Sequence, residues 1–314
     1  MTQRVMQQSG SDQVAVILQA RTGSSRLPGK VLADLAGRPM LAFLVERLQR
    51  CQLVDRLILA TTDLPADDPL ADLGCSLGLD VVRGSQQDVL ARFSLAAAST
   101  DAPILVRVTG DCPLLDPELL AAVIDEFRAQ NVDYLSNCLP PTYPDGLDVE
   151  VFTREALRIA QQECIDPVQR EHVTPWIRDS GRFRLASKKH WKDLSGLRWT
   201  VDEPEDLQVI RAVVAHFDGR SDFCWQQVLE LQQRQPDLFA ANGKFARNEG
   251  ASMGEGQKLW RRAKRLIPGG NMLLSKRAEM FLPEQWPAYF SRSKGCRVWD
   301  LDGRELIDMS IMGI

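Results

Sequence analysis

"VAVILQARTGSSRLPGK", residues 14–30, is an apolar, β-branched run that opens directly into a short basic loop. The run Val14–Leu18 has no polar face, as befits a strand buried on both sides in a parallel sheet. The loop sets Arg21, Arg26 and Lys30 among small and turn-forming residues. Loop N–H groups with fixed cations suit an anion such as a phosphate, and Gly23 and Gly29 permit close backbone approach. Leu27-Pro28 stiffens the turn that aims Lys30. The pattern is neither a P-loop nor a dinucleotide fingerprint. A solvated basic turn is the plainer alternative, and it leaves the position after a buried first strand unexplained.

Working outward, strand-like and helix-like stretches alternate from residue 14 to residue 217. Strands are predicted at 55–62, 79–84, 102–111, 132–137, 147–153, 183–187 and 197–202. Helices are predicted at 37–51, 67–78, 88–99, 116–130, 154–164, 166–179 and 204–217. Asp116 and Pro117 form the clearest helix start. This βαβ spacing predicts an α/β domain with a mainly parallel sheet, whose ligands lie beyond the carboxyl ends of strands.

The pattern stops near residue 240. The stretch 241–256 is polar and rich in Gly, Ala and Asn, and reads as a linker. A short α+β segment, 257–314, then restarts with an amphipathic helix (257–267) and a hairpin-like stretch with Asp302-Gly303 at its turn. Residues 1–13 read as a disordered polar tail without a signal-peptide core.

The formal net charge of −4 argues against nucleic-acid backbones as partners, so the loop's cations matter locally. Seven scattered cysteines without a CxxC pair, and three histidines, suggest neither a disulfide framework nor a zinc site, and fit a reducing cytoplasm. No apolar run reaches the roughly 18 residues of a membrane span.

Four further motifs carry possible chemistry. Asp111 in "VTGDCPLLDP" (108–117) follows an apolar strand, where a carboxylate can hold Mg2+ beside a triphosphate; a turn aspartate is the alternative. Asp202 in "LRWTVDEPEDL" (197–207) also ends an apolar run, with a helix N-cap as its alternative. Asp148 and Glu150 in "YPDGLDVEVF" (143–152) alternate with apolar residues, so both acids are predicted on one side of a strand. Arg170, Glu171 and His172 in "QREHVTPWI" (169–177) lie near a helix start, and a lone histidine is more often structural.

Together "ILQARTGSSRLPGKVLADLAGRPML", "VRVTGDCPLLDPELL", "YPDGLDVEVF", "REHVTPWI" and "WTVDEPEDL" resemble the spore-coat polysaccharide biosynthesis protein F family. That family belongs with the cytidylyltransferases that make CMP-KDO and CMP-sialic acids. The resemblance covers residues 14–217 and implies a Rossmann-like nucleotide-diphospho-sugar transferase fold. It implies CTP and a sugar acceptor as partners, Mg2+ as cofactor, and CMP transfer with release of pyrophosphate. It implies nucleotide contacts from Gln19, Ala20, Arg21, Gly23, Ser24, Ser25, Arg26, Lys30 and Asp111. Catalytic roles fall to Arg21, Lys30, Asp111 and Asp202, with Asp111 and Asp202 on the metal. Asp148, Glu150, Arg170 and His172 are assigned to the sugar side. A homodimer is compatible with this reading. A sugar-1-phosphate transferase using another nucleotide is the nearest alternative, and a non-catalytic nucleotide-binding domain is the other.

The C-terminal segment, with "WDLDGRELIDM" (299–309), resembles the start of class III aminotransferases near glutamate-1-semialdehyde 2,1-aminomutase. Pyridoxal phosphate enters only if a complete aminotransferase domain follows, and no such activity is expected of these 314 residues.

Overall fold

The structure, a computed structural model, describes residues 12–24, 26–245, 247, 255–270, 277, 280, 282 and 287–309. The tail before residue 12, Ser25 and the stretch 248–254 of the expected linker lie outside the described residues. The chain forms two compact units, Met1–Lys244 and Phe245–Ile314.

The first unit opens with β1 (Val14–Gln19), the two-residue strands β2 (Asp34–Leu35) and β3 (Arg38–Pro39), and α1 (Met40–Leu48). There follow β4 (Arg56–Thr62), α2 (Asp68–Ser76), β5 (Asp80–Gly84), α3 (Val89–Ala98), β6 (Ile104–Thr109) and α4 (Pro117–Gln130). The second half runs β7 (Tyr134–Ser136), β8 (Glu150–Thr153), α5 (Arg154–Glu163), α6 (Pro167–His172), α7 (Pro175–Asp179) and β9 (Leu185–Ser187). It closes with α8 (Pro204–His216), α9 (Trp225–Arg234) and a 3-10 turn at Pro236–Asn242.

The sheet has seven strands in the order β5-β4-β1-β6-β8-β7-β9. Pairings from β5 through β6 and between β7 and β9 are parallel, while β8 runs antiparallel to both β6 and β7. Val14–Leu18 is fully buried at the centre, with its alternate residues feeding two separate cores. Each buried aliphatic side chain there contributes about 1.5–3 kcal/mol relative to exposure. The loops after β1 and β6 therefore leave adjacent parallel strands at the same edge.

Three expectations are corrected. The run 197–202 is no sheet strand; it is an extended segment making one isolated bridge, Asp145 to Arg198. The helix expected over 166–179 is broken into α6 and α7. Val173 sits at φ +70°, ψ −60°, and Thr174 N–H donates to His172 C=O at 2.8 Å, a strained γ-turn just ahead of Pro175. The first unit also runs beyond residue 240, because Asn242 is buried and its side chain donates to Asp206 and to the Arg198 carbonyl.

In the second unit, α10 (Glu255–Leu266) precedes an antiparallel sheet of β10 (Phe290–Lys294), β11 (Arg297–Asp300) and β12 (Glu305–Ile307). Gly303, at φ +79°, lies between β11 and β12, where the Asp-Gly turn was expected.

Candidate active site

The loop after β1 folds on itself and then onto the neighbouring strand end. Gly29 N–H and Ser24 N–H each donate to Thr22 C=O at 2.9 Å. Gly29 adopts φ +73°, which a glycine tolerates without strain, and leads into a 3-10 turn beginning at Lys30. Thr22 N–H donates to Asp67 Oδ1 at 2.7 Å, and the hydroxyls of Thr22 and Thr62 donate to the same buried carboxylate. The base of the loop is thus pinned to the end of β4.

That anchoring turns Lys30 inward. Lys30 is 8% exposed, and its ammonium donates to Asp202 Oδ1 at 2.9 Å, Asp111 Oδ2 at 3.2 Å and Val201 C=O at 2.7 Å. Burial opposes the charge, but the two carboxylates outweigh it and raise the Lys30 pKa. Asp111 is likewise disfavoured by burial, yet Lys30 and the Thr109 hydroxyl hold its carboxyl well below the usual range. Arg26 reaches Asp202 Oδ1 at 2.8 Å. Arg21 makes no ion pair among the described residues, which leaves its charge for a ligand. Gly110 permits this closeness, since a Cβ there would lie 2.9 Å from that of Ala20.

No cluster of three or more His, Cys, Asp or Glu side chains suited to a metal occurs among the described residues. Two hard oxygen donors on one cation are nevertheless what Mg2+ takes from a protein when phosphate oxygens complete its shell. The Lys30 ammonium between Asp111 and Asp202 stands where such a cation is tolerated, so the donor set fits.

A loop of cations at the C-terminal edge of a parallel strand, facing two acids, is an arrangement for a metal–phosphate group. The sequence profile of the cytidylyltransferase family matches residues 15–242. The chain belongs to the cytidylyltransferase family. It is 33% identical to the spore coat polysaccharide biosynthesis protein SpsF of Bacillus subtilis, over 71% of this chain and 95% of the relative. A solved cytidylyltransferase from Leptospira borgpetersenii is 30% identical, with a TM-score of 0.69 over 72% of this chain and 96% of that one. A 3-deoxy-manno-octulosonate cytidylyltransferase of Trichlorobacter lovleyi is 39% identical over 116 residues, 37% of this chain and 45% of the relative. The family profile ends before the second unit.

Within this cytidylyltransferase the remaining expected residues divide. The Ala20 N–H is engaged by the Ala60 carbonyl and the Gln19 side chain accepts from Arg107, so both serve the strand end as well. The Ser24 hydroxyl accepts from Leu27 N–H inside the loop. Ser25 lies outside the described residues.

Asp148 lies just before β8, while Leu147, Val149 and Val151, which alternate with Asp148 and Glu150, enter one core. The buried Cys112 thiol is pushed well above its usual range by burial, then by the charges of Asp111, Asp148 and Asp145. Glu150 is buried and accepts from Tyr134 (2.6 Å), Thr174 (2.6 Å) and Arg107. Burial disfavours its charge, but Arg107 and the hydroxyls prevail and keep it ionised. Arg170 is likewise occupied: its guanidinium donates to Asp88, Gln161 and the Cys164 carbonyl. Both residues are committed to partners within the protein. His172 stays half-buried at the γ-turn.

Sequence reasoning missed Thr22, Asp67, Thr109, Arg198 and Asp206. Their signals were short: Asp67 reads as a helix start and Arg198 as one polar residue in an apolar run.

Proposed function

We propose that the first unit transfers CMP from CTP, with Mg2+, to a hydroxyl of an acidic sugar in surface-polysaccharide biosynthesis, releasing pyrophosphate. The observation that carries the reading is the meeting of Lys30 and Arg26 with Asp111 and Asp202 beyond the ends of β1 and β6. The names of the bacillary and octulosonate relatives support an acidic sugar and a polysaccharide setting.

The acceptor hydroxyl attacks the α-phosphorus, a new P–O bond forms, and the bond to the β-phosphate oxygen breaks with its electron pair on pyrophosphate. Lys30, Arg26 and Arg21 neutralise charge that grows on the leaving group, and binding that strengthens in the transition state raises turnover. Asp111 and Asp202 would hold Mg2+, which when bound polarises phosphate oxygens. Asp148 takes the hydroxyl proton, and His172 contacts the sugar. The scattered cysteines without a CxxC pair and the nucleotide substrate support a cytoplasmic setting.

Calorimetric titration of CTP, UTP, GTP and ATP with Mg2+ tests nucleotide choice. Pyrophosphate release across a panel of acidic sugars tests the acceptor class. Equal affinity for all four nucleotides would overturn the cytidylyl assignment to this chain.

The second unit we read as the opening segment of a class III aminotransferase. The support is the sequence resemblance of residues 299–309 alone. Absence of a pyridoxal phosphate absorption band from a longer chain carrying this segment would remove that reading.

A further inference from the structure

The segment that carries Asp202 is no sheet strand; besides Lys30, Arg26 and a Val201 N–H bond to the Asp111 carbonyl, a buried guanidinium braces it from beneath. Arg198 is 7% exposed. It donates from Nε to Asp206 Oδ1 and from one Nη to Asp206 Oδ2, both at 2.8 Å. The other Nη donates to Asp145 Oδ2 at 3.3 Å, and the guanidinium stands 3.6 Å from Asp202 Oδ2. Asp206 in turn accepts from the backbone N–H of Asp202 at 2.9 Å and of Glu203 at 2.8 Å. Asn242 donates to Asp206 Oδ1 at 3.0 Å and to the Arg198 carbonyl at 3.2 Å.

Asp145 opens the segment that leads to Asp148. Its backbone is laced to the Arg198 segment, with Trp199 N–H donating to Asp145 C=O at 2.7 Å and Asp145 N–H to Leu197 C=O at 2.9 Å. Gly146, at φ +103°, has room for no Cβ there, since one would lie 2.6 Å from the Trp199–Thr200 backbone. The nucleotide side and the acceptor side of the site therefore meet at Arg198.

We infer that Arg198 is a positioning residue for the transfer reaction, aligning the Asp202 carboxylate for its divalent cation and registering it against the acceptor-side segment at Asp145. This rests on Asp202 being a cation ligand. A planar fork makes two parallel bonds to Asp206 while its other arm reaches Asp145, a fixed geometry that a lysine ammonium does not reproduce.

The test measures three quantities on the full chain: melting temperature, the Mg2+ concentration giving half-maximal turnover, and Mn2+ affinity of the CTP-loaded protein by water-proton relaxation. Arg198→Lys is expected to weaken Mn2+ affinity and raise the Mg2+ requirement by about 10- to 100-fold, with kcat largely restored at saturating Mg2+. Asn242→Ala keeps Arg198 and its charge, and is expected to shift both in the same direction by a smaller factor. It decides the matter should the lysine variant fail to fold. A lowered melting temperature with unchanged Mn2+ affinity and Mg2+ requirement would make Arg198 a fold residue only and overturn the inference. Asp202→Asn separates the two readings. If it leaves Mn2+ affinity unchanged, Asp202 is no cation ligand and the metal assignment itself fails.

Discussion

Lys30 Nζ and Asp202 Oδ1 lie 2.9 Å apart although 172 positions separate them in the chain. The contact joins the loop after the first strand to a segment outside the sheet, and Asp111 completes it from the end of β6. Substitutions at its corners therefore have different expected consequences.

Asp111→Asn keeps the shape of the side chain but halves the charge facing Lys30. Turnover is expected to fall by about 3 kcal/mol or more, over a hundredfold, through loss of a cation ligand. The fold should survive, because Lys30 keeps Asp202. Pyrophosphate release and a melting curve on the same preparation check this; undiminished release would remove Asp111 from the reaction.

Lys30→Met is expected to lower turnover more than CTP affinity, because phosphate charge grows as pyrophosphate leaves. It also changes acid stability. The Asp111 carboxyl is depressed from 3.8 to about 2, so its contribution is complete above pH 3.8 and is lost as pH falls through about 2. The raised Lys30 pKa places its own loss above pH 10.5. Without Lys30, burial is opposed only by the Thr109 hydroxyl and backbone hydrogen bonding, and the Asp111 carboxyl rises relative to the parent. The variant's deficit against the parent should therefore be largest near neutral pH and shrink, by up to about 2 kcal/mol, as pH falls and Asp111 is protonated. Melting temperatures from pH 3 to pH 7 read this directly, and parallel curves would refute it.

Asp67→Ala removes the acceptor of three donors from Thr22 and Thr62. Loss of these buried hydrogen bonds should cost about 2–3 kcal/mol of stability. The freed loop should raise the KM for CTP more than it lowers kcat. An unchanged KM would show that the loop holds its shape without this anchor.

Gly146→Ala is expected to be severe. Both the positive φ and the 2.6 Å approach to the Trp199–Thr200 backbone stand against any side chain. A loss of about 3 kcal/mol or more is expected in denaturant unfolding. A loss below 1 kcal/mol would mean the two segments can part cheaply.

Cutting the chain after Lys244 should preserve pyrophosphate release, whereas cutting after Ala240 should not leave it intact. The shorter cut removes Asn242 and its two hydrogen bonds to the network beneath Asp202. The expected difference between the two truncations is about 1–3 kcal/mol of stability. Identical melting temperatures and release rates would count against it.

The order of strands and helices, the buried first strand and the cationic loop were legible in the residues themselves. Hydrophobic periodicity is local, so Val14–Leu18 announces a buried strand wherever its neighbours lie. Asp116 likewise caps α4, accepting from the N–H groups of Glu118 and Leu119, because capping depends on residues within one turn. Residue type alone also marked Lys30, Asp111 and Asp202 as chemically able. Which acids meet the cation, and which are consumed elsewhere, depended on long-range packing. Glu150 looks as available as Asp148 in the sequence, but Arg107 and Tyr134 lie across the sheet from it and absorb its charge. Arg198 looks like one polar residue in an apolar run, and only the approach of Asp145, Asp206 and Asn242 gives it a task. The physical reason is that a buried charge is defined by its partners, and partners tens of residues away leave no periodic trace in the chain.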